Sequence, residues 1–526
     1  MKYVDDNVKD TLKEQFYDPT KEVSSRIKVA YSLFKGRVKN ENITTLVVDE
    51  LQVDGRLLNV SIGYFYFFKE ENRVIKIDND RGSLSRSFIS HLNRQYKIND
   101  SDKSLYEHLR CELFTIIEEI EEIEVRNYTW YDSDKNVVYL FDNVSKILKV
   151  TKDGTKILNN GDEDIFFVED PFAEHIDFNK LKIAKNGALD KKYIDLINFV
   201  AFEGLTPDHQ KILLKHSLVC SFFLPIIKSK PLLVFQSELP GSGKTKSLAA
   251  IGHILKGSRF TQSLMPKDER DFFVSILNNH YYVMDNVDRM LPDWFEDNLA
   301  TILTGAGITQ RKLYTSNESF YYRHEGLIGI TTIQARFNRN DIADRSLVFN
   351  LGRLKNFDPR FSERILENRL LILSDILAYV QGALTLLEST QKLEYTELRL
   401  SEYGGLLKLF ADIYGIKDSS ELISALKSSQ SDFSGQNDPL ADQLEDFVNH
   451  KEGFYRAKTR QLYKDFKNFL WIEYKEKILY TSAISFGRAL KAKEEIIGKK
   501  IIIYTSTLDG YQVWNLKTHG QTDLGF

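Results

Sequence analysis

The stretch PLLVFQSELPGSGKTKSLAA, residues 231–250, constrains the fold of this chain more than any other. An apolar run, a Gly-rich turn and a restart at Lys-Thr read as a buried strand, a phosphate-binding loop and the first turn of a helix. Gly241, Ser242 and Gly243 let successive backbone N–H groups turn inward onto phosphate oxygens. The helix N-terminus behind them adds partial positive charge. Lys244 then reaches the β and γ phosphates of ATP, and the Thr245 hydroxyl ligates Mg2+, with Pro240 and Lys246 completing the nucleotide-binding run. The usual pattern G-x-x-x-x-G-K-[ST] opens on glycine, and here Glu238 holds that position. It lies at the strand exit, away from the phosphates, so the signature is weakened without losing a phosphate contact.

Such a loop needs a second strand that ends in an acid. HYYVMDNVDRM supplies it: Tyr281 to Met284 are apolar and Asp285 follows, about 40 residues after Lys244. A carboxylate there holds Mg2+ through water, opposite Thr245. The next residue is Asn286, whose amide can orient water but cannot take its proton. Asp288 is then either a substitute base or a loop-capping residue.

The rest of the chain sets limits. With 526 residues, 42% hydrophobic and 28% charged, it has room for several cores. A formal charge of −4 excludes a polycation, so any nucleic-acid surface is local. Cys111 and Cys220 lack metal-ligand spacing and read as buried thiols in a reducing compartment. The N-terminus MKYVDDNVKD has no apolar signal-like run, and SLVCSFFLPII is too short to span a bilayer and contains Pro225. The expectation is a cytoplasmic protein without membrane contact.

Periodicity divides the chain further. Residues 1–125 mix helical patterns (SLSRSFISHLNRQY, LYEHLRCELFTIIEEIEE) with strand-like runs (LLNVSIGYFYFF, RVIKI), and the acidic run 118–124 reads as a solvated helix face. Residues 126–185 form a small β-rich unit and 186–228 a helical lead-in. The nucleotide core with its lid fills 229–395, including a long helix over FSERILENRLLILSDILAYVQGALTLL. A helical segment and a polar, turn-forming linker (KSSQSDFSGQNDP) occupy 396–439, and a terminal domain occupies 440–526.

The ordered set GSGKT, MPKDERDFF, VMDNVDRM, LTGAGITQRKLYTSNES, LIGITT and DIADRSLVFNL resembles the ATPase-helicases of phages and mobile genetic elements. These are AAA+ proteins related to superfamily-3 and MCM helicases. The resemblance extends over about residues 60–390 and is nearest to the replication-initiator helicases of staphylococcal pathogenicity islands and chromosome cassettes. It implies a multidomain α/β protein: an AAA+ P-loop core with a helical lid, a mixed α/β N-terminal region and a C-terminal winged helix. It also implies a hexameric ring with ATP between subunits, moving on single-stranded DNA with 3′→5′ polarity. Many ring ATPases carry Glu where this chain has Asn286. Arg345 falls at the family's arginine finger, the alternative being an ion pair with Asp341 or Asp344. Thr331 falls near sensor 1, and Arg360, Arg364 and Arg369 compete for sensor 2.

QRKLYTSNESFYYRHE reads as a hairpin, which in the related helicases grips one DNA strand. Arg311, Lys312 and Arg323 would meet phosphates, although a purely structural hairpin is the other reading. In the terminal domain, residues from 451 onward carry 14 Lys and Arg against 8 Asp and Glu. SFGRALKAKEE would be its recognition helix, offering Arg488, Lys491 and Lys493 to an origin duplex; winged helices also bind proteins. The expected function is an ATP-dependent helicase and replication initiator, with a primase or other replication proteins as partners. The rivals are an ATP-switch initiator or loader and a DNA-binding scaffold with negligible hydrolysis. Residues 1–125 show no catalytic carboxylate set for primer synthesis, so no primase activity is expected of them.

Overall fold

Four parallel strands organise the middle of the chain, in the order Tyr281–Met284, Leu327–Thr332, Leu232–Gln236, Ser346–Asn350. The computed structural model describes residues 6–78, 82–99, 101–277, 279–288, 291–311, 319–322, 324–333, 337, 339–355, 358–390, 392–436, 439–475, 478, 480, 482–498, 500–508 and 511–519. The strands are buried at nearly every position because helices cover both faces of the sheet. Leu232, Val234, Ile328 and Ile330 pack with Phe272, Ile276, Phe295 and Leu299 on one side. Leu233, Phe235, Leu327 and Phe349 pack with Leu248, Ile251, Ile376 and Leu377 on the other. A parallel bridge from Ser263 to Met284 extends the sheet beyond its outer strand.

The helix after the phosphate loop, Lys244–Lys256, shares its core with segments from both sides of the sequence. Leu213, Leu214 and Leu218 come from the helix Pro207–Cys220; Ile365, Ile372 and Leu373 come from beyond the last strand. Where one long helix is expected over 361–387, Asn368 (φ −98°, ψ 7°) breaks it into Phe361–Glu367 and Arg369–Ser389. The second piece is long and apolar enough to cross a membrane, and it is the only such helix among the described residues. Ile372, Leu373, Ile376, Leu377 and Val380 of that helix are buried in the core, which accounts for its apolar character.

Ahead of the core lie two further sheets. One has the order Gly55–Val60, Gly63–Phe68, Arg73–Lys76, Phe166–Val168, Val125–Asn127, so it takes strands from both sides of residue 125. The other is an antiparallel meander, Thr129–Asp132, Val137–Phe141, Lys146–Thr151, Gly154–Asn159. Alternation sends Val138, Leu140, Leu148 and Val150 into the cluster shared with Leu233, Phe235 and Leu248, and Val137, Tyr139, Phe141 and Ile147 against Ile165 and Phe167. The molecule is thus a mixed α/β protein with several sheets.

Four local expectations need correction. The acidic run is not one helix face: the helix Lys103–Glu118 stops, and Glu122 makes a parallel bridge to Asn59. Cys220 is buried but Cys111 is exposed, because on its helix Leu105, Leu109 and Leu113 take the inner face. The polar run expected to be a linker from 427 is helical as far as Gln436, within Ser419–Gln436. There Leu422 and Leu426 join the core and Gln430 donates to the Ser346 carbonyl at 3.2 Å, so a few apolar anchors upstream carry the polar stretch. The expected helical lead-in at 186–228 contains the helix Pro207–Cys220, but before it only the short Ala188–Lys192 and a single 3-10 turn.

Candidate nucleotide site and nucleic-acid surfaces

The strand Leu232–Gln236 is fully buried and central, so its loop emerges at the carboxyl edge of the sheet, where parallel α/β sheets bind ligands. Gly241 and Gly243 adopt φ of 75° and 83°, the left-handed region that glycine enters without strain. Gly243 is the N-cap of Lys244–Lys256 and provides no side-chain cap, which leaves the first-turn N–H groups facing the loop. Lys244 Nζ donates to the Ser237 carbonyl at 3.4 Å, and Ser237 Oγ donates to the Leu351 carbonyl at 2.6 Å. Beside the loop is a cavity of 540 Å3, lined by Leu239 to Ser247 and, opposite, by Leu196, Leu354, Phe361, Asp358 and Arg364. Pro240, Gly241, Ser242, Gly243, Lys244, Thr245 and Lys246 therefore all line one cavity.

Asp285 follows the strand Tyr281–Met284, and its N–H donates to the Ser263 carbonyl at 2.9 Å. Its Oδ1 accepts from Thr245 Oγ1 at 2.9 Å and from Thr331 Oγ1. Thr331 Oγ1 in turn accepts the Asn286 N–H at 2.9 Å, so the strand end Leu327–Thr332 is tied to the acidic turn. Asn286 has φ 57° and directs Nδ2 to Asp285 Oδ2 at 3.3 Å. Asparagine tolerates this left-handed backbone better than most residues with a Cβ. That is a local reason for an amide here instead of Glu. Asp288 Oδ1 accepts the Ile333 N–H at 2.5 Å, the geometry of the loop-capping reading. Lys244, Thr245, Asp285, Asn286 and Thr331 thus meet at one edge, while Asp288 is held by the neighbouring turn.

A divalent cation fits the donor set. A hydroxyl and a carboxylate within one hydrogen bond of each other match how Mg2+ is shared between protein, phosphate and water. Among the described residues no cluster of three or more His, Cys, Asp or Glu could hold a metal alone.

Arg345 stands between the short helix Asn340–Ala343 and the strand Ser346–Asn350 and is only 8% exposed. Its Nε donates to Ser229 Oγ at 2.9 Å and its Nη1 to the Asp341 carbonyl at 2.6 Å. Burial lowers its pKa, with Asp341 and Asp344 opposing that effect. The expected alternative of an Asp341 ion pair belongs instead to Arg339, which reaches that carboxylate at 2.7 Å and also pairs with Asp297. Of the three candidate lid arginines, only Arg364 lines the cavity, paired with Asp358. Arg360 pairs with Glu363 and Glu367, and Arg369 donates to the carbonyls of Ile254 and Leu255. Sequence alone could not separate the three, since only the fold of 352–369 decides which faces the loop.

Ile308–Arg311 and Ser319–Tyr322 pair antiparallel, Ile308 opposite Tyr322 and Arg311 opposite Ser319, as the hairpin reading requires. The tip at 312–318, with Lys312, and also Arg323, lies outside the described residues, as does the side chain of Arg311. In the terminal domain, helices Pro439–His450, Thr459–Glu473 and Ala483–Ala492 pack on three antiparallel strands, Phe454–Ala457, Tyr511–Thr518 and Ile501–Leu508 in that order. Ser482 caps Ala483–Ala492 by accepting the Ser485 N–H at 3.1 Å. Ile484, Arg488 and Lys491 are exposed on one face of it, spaced as helical neighbours, and Lys493 just past its end is partly buried.

Residues 223–432 match the family described as actinomycete integrative conjugative element replication protein. The match covers the loop at 238–246, Asp285, Thr331, Arg345 and the helices Phe361–Glu367 and Arg369–Ser389, and stops short of residues 439–519. No curated protein matches the chain. Among solved structures, the apo A form of the NrS-1 C-terminal region aligns at 11% identity over 90% of this chain and 98% of that one, with a TM-score of 0.37. A JCV helicase with a bound acetamide compound aligns at 14% identity over 40% of this chain and 66% of that one, with a TM-score of 0.21. Both scores are too low to transfer a fold or a role.

Proposed function

We propose that this chain is an ATP-dependent DNA helicase and replication initiator of a mobile genetic element. The observation that carries the reading is the meeting of Lys244, Thr245 and Asp285 at the carboxyl edge of a parallel sheet, beside a cavity of 540 Å3. The replication-protein match over 223–432 supports the same role. The core is of the AAA+ class, akin to the initiator helicases of staphylococcal mobile elements, and works as a hexameric ring in the cytoplasm.

ATP enters the cavity with its phosphates on the N–H groups of Gly241 to Thr245, and Lys244 leaves the Ser237 carbonyl for the β and γ oxygens. Thr245 and Asp285 would hold Mg2+, which supplies charge neutralisation at the transferring phosphate. Leu196, Leu354 and Phe361 provide an apolar wall for the base, and Arg364 faces the phosphates from the lid. Arg345 serves the neighbouring subunit, for which it must first leave Ser229 and the Asp341 carbonyl. The paired strands 308–311 and 319–322 carry one DNA strand, and the terminal domain, a winged helix, presents Arg488, Lys491 and Lys493 to the origin duplex.

A second reading has specific support. Asn286 turns its amide to Asp285 and Asp288 caps Ile333, so neither stands ready as a base. An ATP-switch initiator with slow hydrolysis would need none. Steady-state ATPase of the full chain, with and without single-stranded DNA, tests the proposal. DNA-stimulated turnover that disappears in Lys244→Ala supports the motor; nucleotide binding without turnover supports the switch.

A further inference from the structure

The outer face of the terminal domain's three-stranded sheet breaks the usual rule for an antiparallel sheet. One face of such a sheet packs on helices and the other is polar toward water. The inner face follows the rule, with Ile501, Ile503, Trp514 and Leu516 packed against Leu444, Phe447, Leu462 and Phe466. Alternation and register place Phe454, Lys517 and Ile502 in one row of the outer face and Arg456, Asn515 and Tyr504 in the next. Phe454 and Tyr504 are each 47% exposed and Ile502 is 37% exposed. Together these three side chains give one sheet face a partly exposed apolar patch, the kind of surface that marks an interaction site.

The charge around them selects the partner. Phe454–Ala457, Ile501–Leu508 and Tyr511–Thr518 contain Arg456 and Lys517 and no Asp or Glu. Arg456 reaches Ser506 Oγ at 3.3 Å, which holds its guanidinium over the same face as Tyr504. From strand spacing, Phe454 and Tyr504 stand roughly 12 Å apart across the sheet, enough for bases on both rings with a cation between. A duplex keeps its base faces stacked inside, and an acidic peptide would leave the rings without a purpose. We propose that this sheet face binds single-stranded DNA, with Phe454 and Tyr504 stacking on bases and Arg456 on the phosphate between them. It is distinct from the face of Ala483–Ala492 that carries Arg488 and Lys491.

The test uses the full chain without nucleotide, so its outcome does not depend on whether the cavity hydrolyses ATP. Affinity for labelled oligo(dT) and for a random duplex is measured at fixed salt. Phe454→Ala combined with Tyr504→Ala should weaken oligo(dT) binding by about thirtyfold or more, the loss of two stacked bases, and leave duplex affinity within about twofold. Phe454→Tyr combined with Tyr504→Phe should restore it, and Arg456→Gln should flatten the salt slope by about 0.7. Iodouracil-substituted oligo(dT) should cross-link to peptides containing residue 454 or 504. Unchanged oligo(dT) affinity in the double alanine variant, equal loss for both DNAs, or cross-links confined to 308–322 would each overturn the proposal. So would a change in native mass with DNA binding intact, since that marks a protein interface.

Discussion

The two halves expected of a shared nucleotide site differ sharply in this single chain. On the phosphate-loop side, Thr245, Asp285 and Thr331 already hydrogen-bond to one another, and Lys244 is held on the Ser237 carbonyl. Arg345, the residue expected to act on a neighbour, is buried and held by Ser229 and the Asp341 carbonyl. The first half is built by strand ends and a loop within one sheet, so the free subunit completes it. Arg345 already engages two of its donors inside its own subunit, so in the proposed ring assembly must supply something better. Under the proposed ring reading, subunits bind nucleotide before they can hydrolyse it well.

The largest effect expected is on the finished half. Lys244→Ala should abolish ATPase activity with the fold intact, because it removes the cation that holds the β and γ phosphates. Circular dichroism and turnover on one sample check this, and full activity in a folded variant would break the site.

Arg345→Ala should bind nucleotide nearly as wild type but hydrolyse it about 10³-fold more slowly, the scale of a lost finger. Mixing it with Lys244→Ala should restore part of the turnover, since a ring repeats one interface and some mixed interfaces keep both residues. A lowered melting temperature with no rescue would show Arg345 to be an anchor within its subunit, and the two halves would no longer form one site.

A smaller effect is expected at Asp288. General-base catalysis contributes about 10²–10⁴-fold, whereas a capping carboxylate should lose less than about tenfold on change to Asn. Single-turnover hydrolysis by Asp288→Asn and Asn286→Ala separates the two, and a loss of about 10² or more at Asp288 would restore it as the base.

The smallest effect is on stability. His280 and His324 are buried, and burial pushes both imidazoles from 6.5 down to about 3. The unfolded chain takes up protons near its ordinary value while the folded chain resists, so their contribution is complete above about pH 6.5 and is lost as pH falls toward 3. Melting temperature should drop by several degrees between about pH 7 and about pH 5. His280→Gln with His324→Gln should flatten that slope.

How much of this could be read beforehand depended on how local each signal was. The loop at 238–246 and the acid after Tyr281–Met284 were legible because each is a contiguous stretch whose chemistry fixes its geometry. In the terminal domain the helix within SFGRALKAKEE was legible from its period, whereas Phe454–Ala457 was not, being four residues long and not apolar throughout. The break at Asn368 and the helix through Gln436 were not legible, since both depend on packing against distant strands. The choice of Arg364 among three arginines and the burial of Arg345 are likewise tertiary facts.

Strand separation on a forked duplex tests the central claim most directly. With ATP and Mg2+, the full chain should release the labelled strand of a fork with a 3′ single-stranded arm, and Lys244→Ala should bind the fork without releasing it. Hydrolysis by the wild type with no strand release, or equal release by Lys244→Ala, would contradict an ATP-driven helicase.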